Sequence, residues 1–149
     1  MNLDKFNIRV YGLVINSNNE VLVSDEYRMG MYMTKFPGGG LQLGEGTIAC
    51  LKREFQEELK LDIFNIRHYY TTDFFQKAYF FENQQLISIY YLVDIVLPNP
   101  FLVTTKKKFD FKELDECSQS FRWLKISELN DKEMTLPIDK IVINMLKKE

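Results

Sequence analysis

Residues 37–61 read PGGGLQLGEGTIACLKREFQEELKL, and this stretch decides the fold. After a run of three glycines, no glycine or proline interrupts the segment Thr47–Leu59, and most of its residues are good helix formers. We therefore predict a helix there, with the Thr47 hydroxyl as its N-cap. Apolar side chains recur along it at spacings of three and four and form one stripe that can pack on a core: Ile48, Leu51, Phe55 and Leu59.

Three glutamates lie together on another part of the helix surface. Glu54, Glu57 and Glu58 stand at positions i, i+3 and i+4, so their side chains share one arc. Like charges at these spacings destabilise a helix by about 0.2–0.5 kcal/mol per pair, and Arg53, one turn before Glu57, offsets part of this. Because hard cations such as Mg²⁺ and Mn²⁺ prefer oxygen ligands, the cluster is a candidate metal site.

The glycines that precede the helix are predicted to form an irregular loop. Pro37 favours an extended Phe36, and the glycines let the backbone reach positive φ and approach a ligand closely. A glycine loop that leads into a helix N-terminus is a natural anion site, because backbone N–H groups and the helix dipole point at it. The stretch therefore predicts a site for a metal-bound phosphate.

These residues resemble the motif of the Nudix hydrolase family. That motif is Gly, five residues, Glu, seven residues, Arg-Glu, an apolar residue, any residue, Glu-Glu, any residue, Gly and an apolar residue. One position departs, because Lys60 stands where the family has glycine, and a left-handed lysine there would cost roughly 1–2 kcal/mol. The matching positions are Gly39, Glu45, Arg53, Glu54, Phe55, Glu57, Glu58 and Leu61.

The resemblance implies an α/β fold of the Nudix type. In that fold, an α-β-α sandwich, a mixed β-sheet has helices on both faces. Residues 123–129, WLKISEL, also resemble the usual end of the family's chain. Since 149 residues suit one domain, residues 1–149 are interpreted as a single Nudix hydrolase domain.

The rest of the chain predicts mostly strands, followed by a closing helix. Strands are predicted over residues 6–15, 21–23, 63–72, 74–81, 86–97 and 121–124. The first two are expected to pair as a hairpin, as are the fourth and fifth, and the apolar run of residues 86–97 predicts burial on both faces. Residues 26–32 and 101–120 are expected to be loops. Pro137 suits the first turn of the last helix.

Composition and charge narrow the class of protein. Of the 149 residues, 46% are hydrophobic and 27% charged, as in a soluble globular chain, and the net charge is −2. This balance does not favour a nucleic-acid partner. No apolar run suits a signal peptide or a membrane span, so a cytoplasmic location and no membrane partner are expected. Cys50 and Cys117 do not make a disulfide framework, Cys50 is interpreted as a packing residue, and one histidine, His68, excludes a multi-histidine zinc site.

The resemblance also implies an activity and its residues. Nudix hydrolases cleave a diphosphate bond in a nucleoside diphosphate linked to another moiety, here expected to be a nucleoside triphosphate or a nucleotide conjugate. Arg53 would serve catalysis by orienting the glutamates, and Glu45 would be structural or support the ligands from behind. The ligands of Mg²⁺ or Mn²⁺ would be Glu54, Glu57, Glu58 and the backbone carbonyl of Gly38.

The general base has two sources in this family. In some members it is a glutamate of the motif, which here is Glu54, and in others it is a carboxylate of a downstream loop. The loop candidates are Glu113, Asp115 and Glu116, of which we favour Glu116. A solvated acidic loop is the plainer interpretation of each one taken singly.

Substrate contacts are expected from the backbone of Gly38, Gly39 and Gly40. Lys35 is a candidate phosphate contact and Arg9 an alternative one, although an exposed surface role suits both. Several aromatic residues lie outside clean core patterns, and although most are expected to be core, one near the pocket could stack a base. They are Tyr32, Phe74, Phe75, Tyr79 and Phe80.

Two other functions remain open from the sequence. A non-catalytic Nudix-fold domain that binds or senses nucleotides would be expected to lose its metal glutamates, and all three are present. An enzyme that processes nucleic acid is disfavoured by the acidic net charge, although the lysines at positions 106–108 leave it open. The expected partner is a small nucleotide or nucleoside diphosphate derivative, and a homodimer is left open.

Overall fold

Residues 2–149 contain seven β-strands and two α-helices, so the predicted α/β class is confirmed. The structure is a computed structural model that describes residues 2–149. Two short 3₁₀ turns, Ile126–Glu128 and Asp131–Glu133, precede the last helix. The strands and helices are β1 (Lys5–Val14), β2 (Glu20–Arg28), β3 (Met31–Lys35), β4 (Gly38–Gly40), α1 (Thr47–Leu59), β5 (Phe64–Thr71), β6 (Gln84–Asp94), β7 (Gln119–Lys125) and α2 (Pro137–Lys147).

The strands form two sheets. One sheet has the order β4-β1-β6-β5, with β4 antiparallel to β1 and β5 antiparallel to β6. The other has the order β3-β2-β7, and both of its pairings are antiparallel. The chain divides into two units, and the interpretation of residues 1–149 as a single domain stays a prediction. The first unit consists of the chain up to Leu13 together with Gly38–Ile95. The second consists of Val14–Pro37 and Val96–Glu149.

Helix α1 packs into the first unit through its apolar stripe. Leu51, Phe55 and Leu59 are buried as predicted, and Cys50 is buried beside them, whereas Ile48 is exposed. The ring of Phe55 lies so close to strand β1 that a Cβ atom on Gly12 would stand 2.7 Å from it. Glycine at position 12 therefore lets the helix approach the strand.

The N-terminal end of α1 differs from its prediction, and the C-terminal end keeps the geometry of the family's motif. The N-cap is Gly46 rather than Thr47, whose hydroxyl instead lies 2.7 Å from the Tyr91 hydroxyl of β6. At the other end, Lys60 adopts the left-handed conformation that the family's glycine would adopt, with φ of 57°. Its ammonium group donates to the Glu57 carbonyl oxygen at 3.3 Å, which satisfies one carbonyl of the last turn.

The glycine run forms a regular element, contrary to the predicted irregular loop. Gly38, Gly39 and Gly40 make up strand β4, in which they pair with Tyr11, Val10 and Arg9 of β1. A Cβ atom on Gly38 would stand 2.1 Å from the Val10 carbonyl oxygen. The two strands lie so close together that only glycine fits there.

The predicted loop over residues 26–32 is wrong. Strand β2 continues to Arg28, and a tight turn at Met29 and Gly30, both with positive φ, leads directly into β3. The predicted hairpin between the first two strands reduces to a single bridge, Ile15 to Val21. Its two strands instead belong to different sheets.

The predicted strand over residues 74–81 is absent from the structure described for residues 2–149. Only an isolated bridge, Lys77 to Gln85, pairs this segment, and its aromatic side chains are largely exposed. Strand β6 is present as predicted, but burial alternates along it instead of covering both faces. The long loop before β7 and the last helix beginning at Pro137 are both confirmed.

Helix α2 belongs to the second unit. Pro137 occupies its first turn, where the missing N–H costs nothing. Its buried side chains include Ile138, Val142, Ile143 and Leu146. No helix within residues 2–149 is long and apolar enough to cross a membrane.

Candidate active site

The guanidinium group of Arg53 connects three glutamates of the motif. Its Nε and Nη2 atoms donate to both carboxylate oxygens of Glu45, at 3.0 and 2.7 Å. Its Nη1 atom donates to Glu54 at 2.9 Å and to Glu57 at 3.2 Å. Nη2 also donates to the Gly40 carbonyl oxygen at 3.0 Å, which joins the glycine strand to the helix.

This arrangement offsets the charge repulsion expected on the helix. Glu54 and Glu57 accept from the same nitrogen of Arg53, so the cation lies between the two carboxylates. The Glu54 side chain is 14% exposed and that of Glu57 58% exposed. Glu54 is therefore held inside the site, while Glu57 has room to move.

Glu45 and Arg53 shift each other's pKa. Hydrogen bonds from Arg53, and then from the Gln42 backbone N–H, lower the pKa of Glu45 from 4.5 to about 2. The same hydrogen bonds, which Arg53 donates to Glu45, raise the pKa of Arg53 against the opposing effect of burial. Glu45 thus stays ionised and holds the guanidinium of Arg53 in place, while its supporting role in a metal site stays a prediction.

Gly39 allows the strand to lie against the carboxylate of Glu54. A Cβ atom at this position would stand 2.4 Å from the carboxyl carbon of Glu54. The backbone of β4 and the carboxylate of α1 therefore form one contiguous surface, as a cradle for a charged ligand requires.

The donor set suits a hard cation in kind, because carboxylate oxygens are what Mg²⁺ prefers. Glu58, half-buried on the same turn as Glu57, adds a third carboxylate. Within residues 2–149, no three carboxylate, imidazole or thiol groups already converge closely enough to hold an ion. The Glu57 side chain is 58% exposed, whereas that of Glu54 is held beside Arg53.

Cys50 is a packing residue, as predicted. Its thiol is buried and lies 3.4 Å from the Gly40 carbonyl oxygen. Burial and the neighbouring Glu45 carboxylate raise its pKa to about 12, so it stays protonated and poorly nucleophilic. His68, the single histidine, is exposed on β5 and lies 2.8 Å from the Thr71 hydroxyl.

Arg9 lies beside the glycine strand. It pairs with Gly40 across β1 and β4, and a Cβ atom on Gly40 would stand 3.6 Å from its Nη1. Its Nε donates to the Tyr11 hydroxyl at 2.7 Å, and its guanidinium lies 5.8 Å from the centre of that ring. The half-buried Arg9 thus places a second guanidinium next to Gly40 in the first unit.

Lys35 is buried in the second unit rather than exposed. Its ammonium group lies 3.0 Å from Glu26, which also accepts from Ser24 at 2.8 Å and from Gln119 at 3.2 Å. Burial alone would raise the pKa of Glu26, but Lys35, Ser24 and Arg28 together lower it. The predicted phosphate contact of Lys35 stays a prediction.

Glu116 lies at the turn between β2 and β3. Its carboxylate accepts from the Met29 backbone N–H at 2.7 Å, and its carbonyl oxygen accepts from Arg28 at 3.1 Å. Asp115 accepts from the Cys117 backbone N–H at 2.7 Å, and Glu113 is exposed on the same loop. The role of Glu116 as general base stays a prediction.

The second unit contains a buried ion pair that was not predicted. Asp25 is fully buried and bonded by Nε and Nη2 of Arg122, the latter at 3.0 Å, and by the Thr34 hydroxyl at 2.7 Å. The predicted strand ended before Asp25, so its neighbours could not be inferred. The run of polar residues directly after Val23, continuing a β-strand, was the only available signal.

The aromatic candidates are mostly exposed, not core. Tyr32, Phe74, Phe75 and Tyr79 all present large exposed areas, and Phe80 is half-buried. Tyr32 contacts one ring nearby in the sequence and one far away. Its ring centre lies 5.0 Å from that of Tyr27 and 5.0 Å from that of Phe109.

Comparison with known families settles the relationship of the chain. The NUDIX domain matches residues 5–145, which is nearly the whole sequence. The chain belongs to the NUDIX family. It is a Nudix hydrolase, as the motif around Arg53 predicted, and members of this family generally use divalent metal ions.

Solved Nudix structures share the fold at low identity. A structure from a study of MutT from Aliivibrio salmonicida and Vibrio cholerae is 18% identical, with a TM-score of 0.63, and the match covers 97% of this chain and 98% of that one. A NUDIX hydrolase from Nitrosomonas europaea is 16% identical, with a TM-score of 0.69 and 96% and 88% of the two chains covered. A MutT NUDIX hydrolase from Burkholderia pseudomallei is 13% identical, with a TM-score of 0.67 and 95% and 97% covered. No curated protein sequence matches this chain.

Proposed function

We propose that this Nudix hydrolase is a Mg²⁺- or Mn²⁺-dependent pyrophosphohydrolase that cleaves a nucleoside diphosphate linked to another moiety. A nucleoside triphosphate or a nucleotide conjugate is the expected substrate. The observation that carries the proposal is the contact of Arg53 with Glu45, Glu54 and Glu57 beside the glycine strand. All these residues occupy positions of the family's motif: Arg53, Glu54 and Glu57 lie on α1, and Glu45 precedes it.

Each residue has a distinct task in this proposal. Glu54, Glu57, Glu58 and the Gly38 carbonyl would hold the cation, which supplies charge neutralisation for the diphosphate and makes a water molecule more acidic. Arg53 is a positioning residue, because it bonds two of these glutamates and is itself held by Glu45. Gly39 and Gly40 would present their backbone to the phosphates. Position 39 must also be glycine because a side chain there would displace Glu54.

Two carboxylates are candidates for the general base. Glu54 lies within the site, in contact with Arg53 and Gly39. Glu116 accepts the Met29 N–H with one carboxylate oxygen, which leaves its second oxygen to take a proton. The Glu116→Gln variant distinguishes them, because loss of the base shifts the acidic limb of the pH–rate profile while a merely structural change lowers the rate at all pH values.

The alternative, a non-catalytic nucleotide-binding or sensor domain, needs no metal glutamates. The retention of Glu54, Glu57 and Glu58, together with the Arg53 contacts that position two of them, favours the enzyme. A cytoplasmic location and a homodimer stay predictions.

The Glu57→Gln variant tests the proposal. Because Glu57 is largely exposed, the variant should fold normally, and turnover should fall by roughly 10²–10³-fold as charge stabilisation is lost. The assay is release of phosphate or pyrophosphate with Mg²⁺ across nucleoside triphosphates, nucleotide sugars, ADP-ribose and dinucleoside polyphosphates. Calorimetric titration with Mg²⁺ gives a second readout, in which Glu57→Gln should bind more weakly than the wild type.

Lys52→Gln is the matched control. Lys52 is exposed on the same helix, and none of the contacts described above joins it to the glutamates. It should keep full turnover. Wild-type turnover in Glu57→Gln would remove Glu57 from the metal site. Full hydrolysis in EDTA would defeat the metal-dependent mechanism, and no hydrolysis of any substrate with Mg²⁺ or Mn²⁺ would favour the binding domain.

A further inference from the structure

The second unit carries a cluster of four aromatic side chains that the catalytic proposal does not use. The cluster consists of Tyr27, Tyr32, Phe109 and Phe111, in which Tyr32 lies 5.0 Å from Tyr27 and 5.0 Å from Phe109. Phe109 in turn lies 6.1 Å from Phe111. Both neighbours meet Tyr32 at steep interplanar angles, 63° and 54°, and Tyr32 remains 50% exposed.

Two segments far apart in sequence build this cluster, and both are held in left-handed backbone conformations. Met29, at the turn before Tyr32, has φ of 50°, and Phe109 has φ of 56°. Neither is glycine, so each conformation carries a steric cost relative to an ordinary one. Strained residues of this kind persist only where the surroundings fix them, and they concentrate at ligand-binding sites.

A carboxylate fixes each strained residue in the same way. The Met29 N–H donates to Glu116 at 2.7 Å, and the Phe109 N–H donates to Asp25 at 3.3 Å. Asp25 is itself anchored by the buried guanidinium of Arg122. The exposed ring of Tyr32 and its neighbour Phe109 are therefore set in place by the buried ion pair and by the acidic loop.

Positive charge lies directly beside the rings. Lys106, Lys107 and Lys108 are exposed and immediately precede Phe109. The Lys108 ammonium lies 5.2 Å from the centre of the Phe109 ring. A flat aromatic surface flanked by ammonium groups complements a ligand that combines a planar ring with phosphate.

We propose that the Tyr32–Phe109 pair binds the base of the nucleotide by stacking on the exposed ring of Tyr32, with the lysines next to its phosphate. The inference rests on the proposed function only for the choice of a nucleotide as ligand. Base stacking is tolerant of sequence, because every base has a π-face, so the pair would bind purine and pyrimidine nucleotides alike.

Binding of nucleoside monophosphates, which carry no diphosphate bond, tests this without turnover. The wild-type protein is titrated with AMP, GMP, CMP and UMP in EDTA, with binding followed by calorimetry and by NMR. Tyr32→Ala should weaken binding by roughly tenfold, and Tyr32→Phe, which keeps the ring, should bind as the wild type does. Phe101→Ala is the matched control, because Phe101 is an exposed aromatic residue of the same unit outside the cluster.

A kinetic comparison separates this inference from the proposed function. Glu57→Gln should lose turnover yet bind AMP in EDTA as the wild type does, so the stacking site and the hydrolytic proposal can fail independently. Equal AMP affinity in Tyr32→Ala and the wild type would overturn the stacking site even if hydrolysis is intact. Absence of binding by all four monophosphates to the wild type would also overturn it, as would an equal loss in Phe101→Ala. An unchanged thermal unfolding midpoint in Tyr32→Ala shows that its effect is local.

Discussion

Gly39 of the glycine strand lies directly against the carboxylate of Glu54 on helix α1. A Cβ atom at position 39 would stand 2.4 Å from the Glu54 carboxyl carbon, closer than real side-chain atoms approach. The strand and the helix of the motif are thus fitted to each other at this point. The fit restricts where the carboxylate can lie, which is what a site that positions charge requires.

Replacement of Gly39 and of Gly38 by alanine should therefore have different effects. Gly39→Ala pushes aside the flexible end of Glu54, so turnover should fall by about a hundredfold with little loss of stability. Gly38→Ala places its Cβ against the Val10 backbone oxygen, in a strand position with φ of 150°, and should cost about 1–3 kcal/mol. Urea denaturation and a turnover assay on both variants check this, and equal destabilisation by the two would contradict it.

Because Lys60 at the end of α1 is left-handed, replacing it with glycine should stabilise the protein. Lys60→Gly should raise the free energy of unfolding by about 1 kcal/mol, because glycine adopts this conformation without the steric cost, even after the bond from the lysine ammonium to the Glu57 carbonyl is lost. Denaturant unfolding measures it. Lys52→Gly, within the same helix, should instead destabilise by about 1 kcal/mol. A loss of stability in Lys60→Gly would show that the ammonium bond matters more than the backbone.

Glu45 should make the stability of the protein fall in acid. Its pKa is lowered on folding from 4.5 to about 2, so its stabilising contribution is complete above pH 4.5 and is lost as the pH falls towards about 2. Glu45→Gln should be less stable than the wild type at neutral pH, and its stability should decline less over that acidic range. Urea midpoints measured across the range check this, and parallel declines in both proteins would exclude Glu45 as the cause.

The buried pair of Asp25 and Arg122 should be sensitive to the loss of one partner. Asp25→Asn leaves the guanidinium buried without its counter-charge and should cost about 3–5 kcal/mol. The double variant Asp25→Leu with Arg122→Met removes both charges and should recover much of this loss. Calorimetric unfolding midpoints measure both, and a double variant no more stable than Asp25→Asn would show that the pair is needed as such.

The sequence predicted best where local rules decide the structure. Helix α1 follows from an uninterrupted run of helix formers with its stripe of Leu51, Phe55 and Leu59, and the contact of Arg53 with Glu57 follows from their separation by one turn. The structure also brings two residues of the motif, Glu45 and Arg53, into contact, although their roles in the site stay predictions.

The predictions from sequence failed where contacts between distant segments determine the structure. The chain from 26 to 32 contains charged residues and a glycine, so it was predicted to be a loop, yet β2 continues through it because Gln119 and Ser120 of β7 pair with Glu26 and Asp25. Residues 74–81 have the aromatic content of a strand but little pairing, and their rings stay exposed. Neither the bond between Asp25 and Arg122 nor that between Met29 and Glu116 can be inferred from residue types, since each spans more than half the chain.

Arg53 gives the acidic helix a tethered counter-ion of its own. Because this cation is covalently part of the helix, the repulsion among Glu45, Glu54 and Glu57 is relieved as soon as the chain folds, in whatever ionic medium it meets. Under the proposed metal dependence, folding would therefore not wait for the divalent ion, unlike in small zinc domains that assemble only around their metal. Starvation for divalent ions would then leave a folded protein without its proposed activity, and the activity would return with the ion.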